Sequence, residues 1–573
     1  AIVICMIWTV SFLPFSGFAR WLPAATVSPI YLYGEHQEWS VFFKYLPDIL
    51  YPTQDHGNEI IQAYFMGLEE KSWSEWTRVI QFWVWPLTAI GILIFLFAAG
   101  ILSIVAVLRK QWMEHEKLTY PIAQIPLWII QEPEKGRVLN KLFRNKSFWV
   151  AVMMVFTIHL INGIHSYYEG FVHINLNPSL PSGLNVPPFS YMPSLNHLIN
   201  LHVFFCIIGM AFLLPLEISF SLWFGYIFFQ GLGIFYHSAG YPVEYKYYDY
   251  EVLGGYFFFF ISILYIGRNY YWKVIRGAFT FAKDRPEESM FFLISMLSFA
   301  GVFGWLMFMG MAPTSALILL VLLFVGFLVL ARFVAEGVMT LCAWDPHRSM
   351  VTLFGHKAIG LQSLTISSIV YLLLYADTSE AIMPYATNVY RVRTASGSKS
   401  GRFFMLMLAA IAVGYVATVA SSMFCAYNFG AQQFALTAGE TNRAGSTFTF
   451  ISRTKEFATT VDWEAWLHFG IGAVIVAVLS ILRLKFVWWP MHPIGFAAGF
   501  NYFTGVAWFS IAVGYIAKLL ILRYGGVKFY HKSKNFFMGL ILGDVIASSF
   551  WIIVGVLLFH FTGIKPPGIA LFP

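Results

Sequence analysis

The chain has 573 residues, 58% of them hydrophobic and only 11% charged, against roughly 25% charge in soluble globular domains. Its apolar residues fall in runs long enough to cross about 30 Å of hydrocarbon, which excludes a soluble enzyme or a nucleic-acid-binding domain. The net charge of +7 sits in short loops between those runs, where it orients the chain in a lipid bilayer; no nucleic-acid partner is implied.

In chain order, spanning segments are predicted at about 1–18, 82–108, 147–166, 199–218, 219–236, 252–267, 289–309, 312–334, 403–427, 464–483, 503–522 and 536–562. Stretches around 335–376 and 486–500 are apolar but broken by Pro, Gly and charge, so they are expected as re-entrant hairpins or unwound helices. The expected fold is therefore all-α: one integral membrane domain over 1–573, a polytopic bundle of about 12–15 transmembrane or re-entrant segments. Ala1 lies inside an apolar run with no basic segment before it, and the expectation is an incomplete N-terminus.

Loop charge predicts sidedness. Residues 109–146 carry Arg109, Lys110, Lys117, Lys135, Arg137, Lys141, Arg144 and Lys146, whereas 167–198 carry no Lys or Arg. The positive-inside rule puts the first loop in the cytoplasm of a cell-membrane protein, with 268–288, 391–402 and 523–534. The long connections 19–81, 167–198 and 428–463 are expected outside as ordered caps.

Intramembrane ionisable residues are costly, so each is a candidate for a substrate or ion pathway. Glu217 follows Pro215 in "AFLLPLEISFSLWFGY"; the competing reading is a carboxylate that ties helices together. Arg332 and Glu336 are four apart and share a helix face, just before Gly337 and the Asp345-Pro346 step. They form either an ion pair at a helix end or part of a site made from broken helix ends. His492 lies in "WWPMHPIGFAAGF", a structural histidine more often than a proton relay. Asp544 follows Gly539 and Gly543, whose i,i+4 spacing lets another helix approach closely. In such apolar flanks Glu217 and Asp544 are expected to titrate near neutrality unless a cation pairs with them.

Catalytic and cofactor patterns are absent. His159 and His165 are six apart and make no same-face metal pair, and no Walker A, H-E-x-x-H or G-x-S-x-G occurs. Cys5, Cys206, Cys342 and Cys425 are scattered, without a disulfide framework or zinc spacing. No metal, cofactor or catalytic residue is assigned.

Several segments nevertheless form an ordered set. "EKLTYPIAQIP" (116–126), with Tyr120 and Pro121, resembles a segment of the oligopeptide transporter superfamily. "LARFVAEGVMT" (330–340), "GSKSGRFFMLMLAAIAVGY" (397–415) and "GLILGDVIASSFW" (539–551) are similar to later segments of that superfamily, the last as in its Yellow Stripe-like branch. The whole looks like a divergent prokaryotic membrane family distantly related to those transporters. The resemblance implies proton-coupled movement of small peptides or metal–chelate complexes through a bundle with re-entrant hairpins. Bulky "IAQIPLWII" follows Tyr120 where small residues are expected, so ligand identity is not carried over. The alternative is a non-transporting scaffold or subunit of a larger membrane complex; a membrane-embedded enzyme ranks last. A homo-oligomer stays open. A polar cavity reached by Glu217, Glu336 or Asp544 separates the readings, because a scaffold packs those groups dry and paired.

Overall fold

The computed structural model describes residues 1–563 except 14–17, 35, 56, 181–184, 281–286, 338–343, 378–380, 395, 396, 398, 434–436 and 454–460, and describes only the backbone of 437–444. Cys342, Lys283, Arg285, Ser398 and residues 338–340 of the second family-like segment lie outside the described residues.

Every regular element among the described residues is helical, and nine stretches are long and apolar enough to cross a membrane. The helices used below are α1 (Trp73–Lys110), α2 (Lys146–Tyr167), α3 (Phe205–Leu213), α4 (Leu216–Ser238), α5 (Tyr245–Ile266), α6 (Glu287–Phe308), α7 (Pro313–Glu336), α8 (Ser400–Phe429), α9 (Trp463–Lys485), α10 (Ile494–Gly499), α11 (Tyr502–Leu520) and α12 (Gly526–Thr562). Their starts follow capping chemistry: Ser72 accepts from the Glu75 N–H, Asn145 from Ser147 and Phe148, and Asn501 from Thr504.

Residues 1–18 hold the helix Ile2–Val10. A helix break departs from the hydropathy reading further on. The predicted span 199–218 is split: α3 has nine residues, about 13 Å, and Leu214 and Pro215 are extended before α4 begins. The apolar stretch Tyr502–Thr562 folds as two helices, Tyr502–Leu520 and Gly526–Thr562, in line with the separate spans predicted at 503–522 and 536–562. Gly526 adopts φ +64, and the Lys518 ammonium lies 5.0 Å from the Tyr530 ring centre, a separation of about 18 Å along a straight helix. Broken helices also occupy both Pro/Gly-interrupted stretches. One holds Pro346–Phe354, His356–Ile359 and Leu361–Leu374, separated by Gly355 and Gly360 at φ +80 and +77. The other holds only the six-residue α10. In 19–81 Trp21, Trp39 and Phe42 are buried, and a helix, Thr437–Arg453, forms inside 428–463.

The chain divides into two compact units, one of Ala1–Leu118, Phe259–Arg332 and Trp344–Leu467, the other of Thr119–Phe258, Phe333–Ala343 and His468–Pro573. In the first, α1 packs on α6, where Trp305 donates to the Ala89 carbonyl, and on α8, where Tyr415 donates to the Leu87 carbonyl.

In the second unit, backbone approach sets the packing. Lipid tails are as apolar as leucine, so hydrophobic transfer drives little association and close van der Waals contact does more. A Cβ on Gly539 or Gly543 of α12 would press into Phe148, Ala151 and Val155 of α2. One on Gly225 of α4 would fall on the Gly495 carbonyl of α10. One on Gly472 of α9 would fall on the Glu251 carbonyl of α5. α3 lies against α11 and α12, with Ile208 and Phe212 among Ala151, Val155, Phe537 and Leu540.

Candidate functional site

The described residues of the second unit include three carboxylate–histidine pairs, each joining elements remote in sequence. The most buried is Glu251 of α5 with His468 of α9. The His468 Nδ1 lies 2.7 Å from Glu251 Oε1, and both side chains are fully buried. Tyr236 of α4 donates its hydroxyl to the same oxygen at 2.8 Å. Two polar atoms of this pair are left over: Glu251 Oε2 and His468 Nε2 are buried without hydrogen-bond partners. Unsatisfied buried groups are rare in folded proteins and call for a physical reason.

Tyrosines surround this imidazole. Tyr247 stacks on it at 5.2 Å, Tyr236 meets it edge-on at 5.9 Å, and Tyr241 lies at 6.3 Å. Tyr241 is 43% exposed and links the buried pair to the protein surface.

Asp544 of α12 meets His159 of α2 at 2.7 Å, and its other oxygen accepts the Cys206 N–H of α3 at 2.6 Å. Asp544 is 1% exposed, so its predicted burial is observed, and its partner is the histidine that spacing had set aside. The third pair is looser. His492 Nδ1 accepts from the Ile494 N–H, which leaves Nε2 to face Glu336 Oε2 at 3.5 Å. The His492 N–H is tied to Ser221 of α4 at 2.6 Å.

Tyr120 and Pro121 make a helix junction. Tyr120 is buried in a left-handed conformation, φ +46, and its N–H donates to the Ala335 carbonyl at 2.9 Å. Thr119 Oγ1 donates to the Glu336 carbonyl. Both carbonyls belong to the last turn of α7 and would otherwise lack donor partners. Lys518 donates in the same way to the Leu214 carbonyl at the end of α3. These breaks border a cavity of about 30 Å³, lined by Pro121, Met210, Leu214, Gly337 and Ile511, room for about one water.

The remaining candidates fall elsewhere. Glu217, expected in apolar surroundings, has a 57% exposed side chain beside Arg483 at 3.2 Å. Apolar neighbours in sequence do not say which face of α4 turns outward. Of Arg332 and Glu336, expected to share a helix face, Glu336 faces His492, and Arg332 belongs to the other unit. In the first unit Arg332 Nη1 meets Glu116 at 2.5 Å, with the guanidinium over Trp112. The π-helical turn Gln111–His115 precedes Glu116, and Gln111 donates to the second Glu116 oxygen. Asp345 opens Pro346–Phe354 and lies 3.5 Å from Arg348. Among the described residues no group of three His, Cys, Asp or Glu is arranged to hold a metal ion.

Glu251, His468, His159 and Tyr236 were not singled out from sequence. Glu251 follows "YKYYDY", whose charge and aromatics read as a membrane-interface loop, while the apolar flanks of His468 were a usable signal. Comparison with known families matches residues 1–564 to the "Family of unknown function (DUF6785)", and the chain belongs to it. No curated protein matches the chain.

Proposed function

We propose that this member of the family is a proton-coupled secondary transporter for small peptides or metal-chelate-like solutes, with Glu251, His468 and Tyr236 as its proton site. The observation that carries the reading is the fully buried pair with one bare carboxylate oxygen and one bare imidazole nitrogen. A proton added at Glu251 Oε2 leaves both hydrogen bonds to Oε1 in place. A metal ion needs several acceptor atoms, whereas Tyr236 presents a donor to this carboxylate and His468 only one nitrogen lone pair. Burying such a pair is expensive relative to apolar side chains of similar volume, and ionisable groups inside membranes are retained chiefly on ion or substrate pathways. The role expected for Glu217 and Asp544 thus passes to Glu251. The broken helices and the oligopeptide-transporter-like segments support the solute class.

The test is uptake into proteoliposomes of di- and tripeptides and of nickel–histidine chelates, with and without an imposed proton gradient. Gradient-driven uptake by the wild type, lost in Glu251→Gln, supports the proposal. A scaffold is the second reading, favoured by the dry pairing of Asp544 and Glu336 and by the small cavity. It predicts no uptake above protein-free liposomes for any probe. The sidedness belongs to the same proposal, with 109–146 cytoplasmic and 167–198 outside. Single cysteines at Lys135 and Glu169 should then react with an impermeant thiol reagent from opposite faces; labelling from one face refutes it.

A further inference from the structure

We propose that the connection after α2 carries a binding site for a divalent transition-metal ion, held by His165 and His173. Both belong to the second unit, and their ring centres lie 4.9 Å apart with the planes tilted by 38°. The segment "HSYYEGFVHI" (165–174) leaves the end of α2 and folds back along its last turns. Three contacts fix that return. Asn162 of α2 donates to the Ile174 carbonyl at 2.9 Å and accepts the Ile174 N–H at 2.8 Å. His165 Nδ1 lies 2.7 Å from the Phe171 carbonyl. His173 is thereby set beside His165, although eight positions separate them in the chain.

A carbonyl oxygen only accepts, so the His165 proton sits on Nδ1 and Nε2 keeps its lone pair. Proteins orient metal-binding imidazoles in this way: one nitrogen donates to a carbonyl and the other faces the ion. Among the described residues, neither His165 Nε2 nor either His173 nitrogen has a hydrogen-bond partner. His173 is exposed and His165 partly so. An ion therefore reaches both from solvent, and His173 can turn about its own bonds to present a nitrogen. Two imidazoles sharing one ion at about 2.0–2.1 Å have ring centres roughly 5 Å apart, close to the 4.9 Å observed. Residues 147–216 contain no Lys or Arg and one carboxylate, Glu169, so no cation of this segment repels the ion. Imidazole suits copper, nickel and zinc, whereas magnesium and calcium prefer oxygen. Two protein ligands leave the other positions on the ion to water or to the donors of a solute.

The experiment uses the full chain, purified without a histidine tag and titrated with copper(II), which heads the divalent affinity series for nitrogen ligands. Pulsed electron paramagnetic resonance counts the imidazoles on the most tightly bound copper. Two are expected in the wild type. His165→Ala and His173→Ala should each leave one imidazole and weaken binding by at least about tenfold, the loss seen when even an outer partner of a metal ligand is removed. Both side chains reach solvent, so the metal-free fold should survive either change. The proposal falls if the wild type binds no copper, if its copper carries a single imidazole, or if both variants bind like the wild type.

Discussion

In the second unit Asp544 and Glu251 each meet an imidazole at 2.7 Å, yet their remaining atoms are treated in opposite ways. Both Asp544 oxygens are engaged, one by His159 and the other by the Cys206 N–H, and Trp551 donates to the His159 carbonyl. Three helices are thereby joined around one carboxylate. At Glu251 both donors converge on a single oxygen, and the second oxygen stays bare. In the satisfied pair each carboxylate oxygen has a partner, whereas the half-satisfied pair leaves one oxygen bare, the feature on which the proposed proton site rests. The comparison teaches that burial and distance alone do not distinguish a clasp from a switch; the count of satisfied atoms does.

The largest effect expected is on stability at Asp544. Asp544→Ala leaves His159 and the Cys206 N–H without their acceptor, at about 3 kcal/mol or more, whereas Asp544→Asn keeps an oxygen for the N–H and costs less. Detergent-denaturation titrations of the two variants check this. Equal, small losses would remove the clasp from the comparison.

Next is the helix contact behind the second pair. A Cβ on Gly472 falls on the Glu251 backbone carbonyl, which cannot swing aside as a side chain can, so Gly472→Ala should cost about 1–3 kcal/mol. It should also disturb proton coupling, because it parts α5 from α9 at the pair. Wild-type unfolding and uptake in this variant would mean that the crossing is looser than described.

Glu251→Gln inverts the pattern of Asp544→Ala. The amide is nearly isosteric and one of its atoms still accepts from Tyr236, so a loss of only about 1 kcal/mol is expected, together with complete loss of gradient-driven uptake. A stability loss as large as that of Asp544→Ala would make Glu251 a second clasp and would favour the scaffold.

How much of this contrast could be read from residues alone differs between its two halves. Asp544 stood out because a carboxylate within "FFMGLILGDVIASSFW" has no other charged residue beside it, and Gly539 and Gly543 announced the contact with α2. Its partner did not: 385 positions separate His159 from Asp544, and local spacing rules cannot see such a pairing. Glu251 was hidden by its tyrosine-rich approach, and the exposure of Glu217 was not legible because hydropathy averages over all faces of a helix. The Pro/Gly-interrupted stretches were legible because those residues act on the backbone itself. The break at Leu214 was not, since hydropathy runs unbroken through it even though Pro215 holds its predecessor extended.

The smallest effect tests the comparison from outside the bundle, at a carboxylate whose partners are cations in water. Glu134 lies between Lys141 at 3.2 Å and Arg144 at 3.0 Å. Hydrogen bonds from Lys141 and then Arg144 hold its pKa below the ordinary 4.5. A depressed folded-state pKa means that the unfolded chain binds the proton more readily. The contribution of Glu134 is therefore fully present above pH 4.5 and is lost as pH falls through the lowered folded value. Because the side chains are exposed, solvent and salt screen the interaction, and the loss should be slight and weaker still at high ionic strength. Limited proteolysis of the 131–145 connection across this range should show cleavage rising as the solution becomes acidic. Glu134→Gln should flatten that dependence without altering uptake, since no buried pair is touched. An unchanged acid response in the variant would assign it to another carboxylate, and a change in uptake would mean that surface charge reaches the proton site.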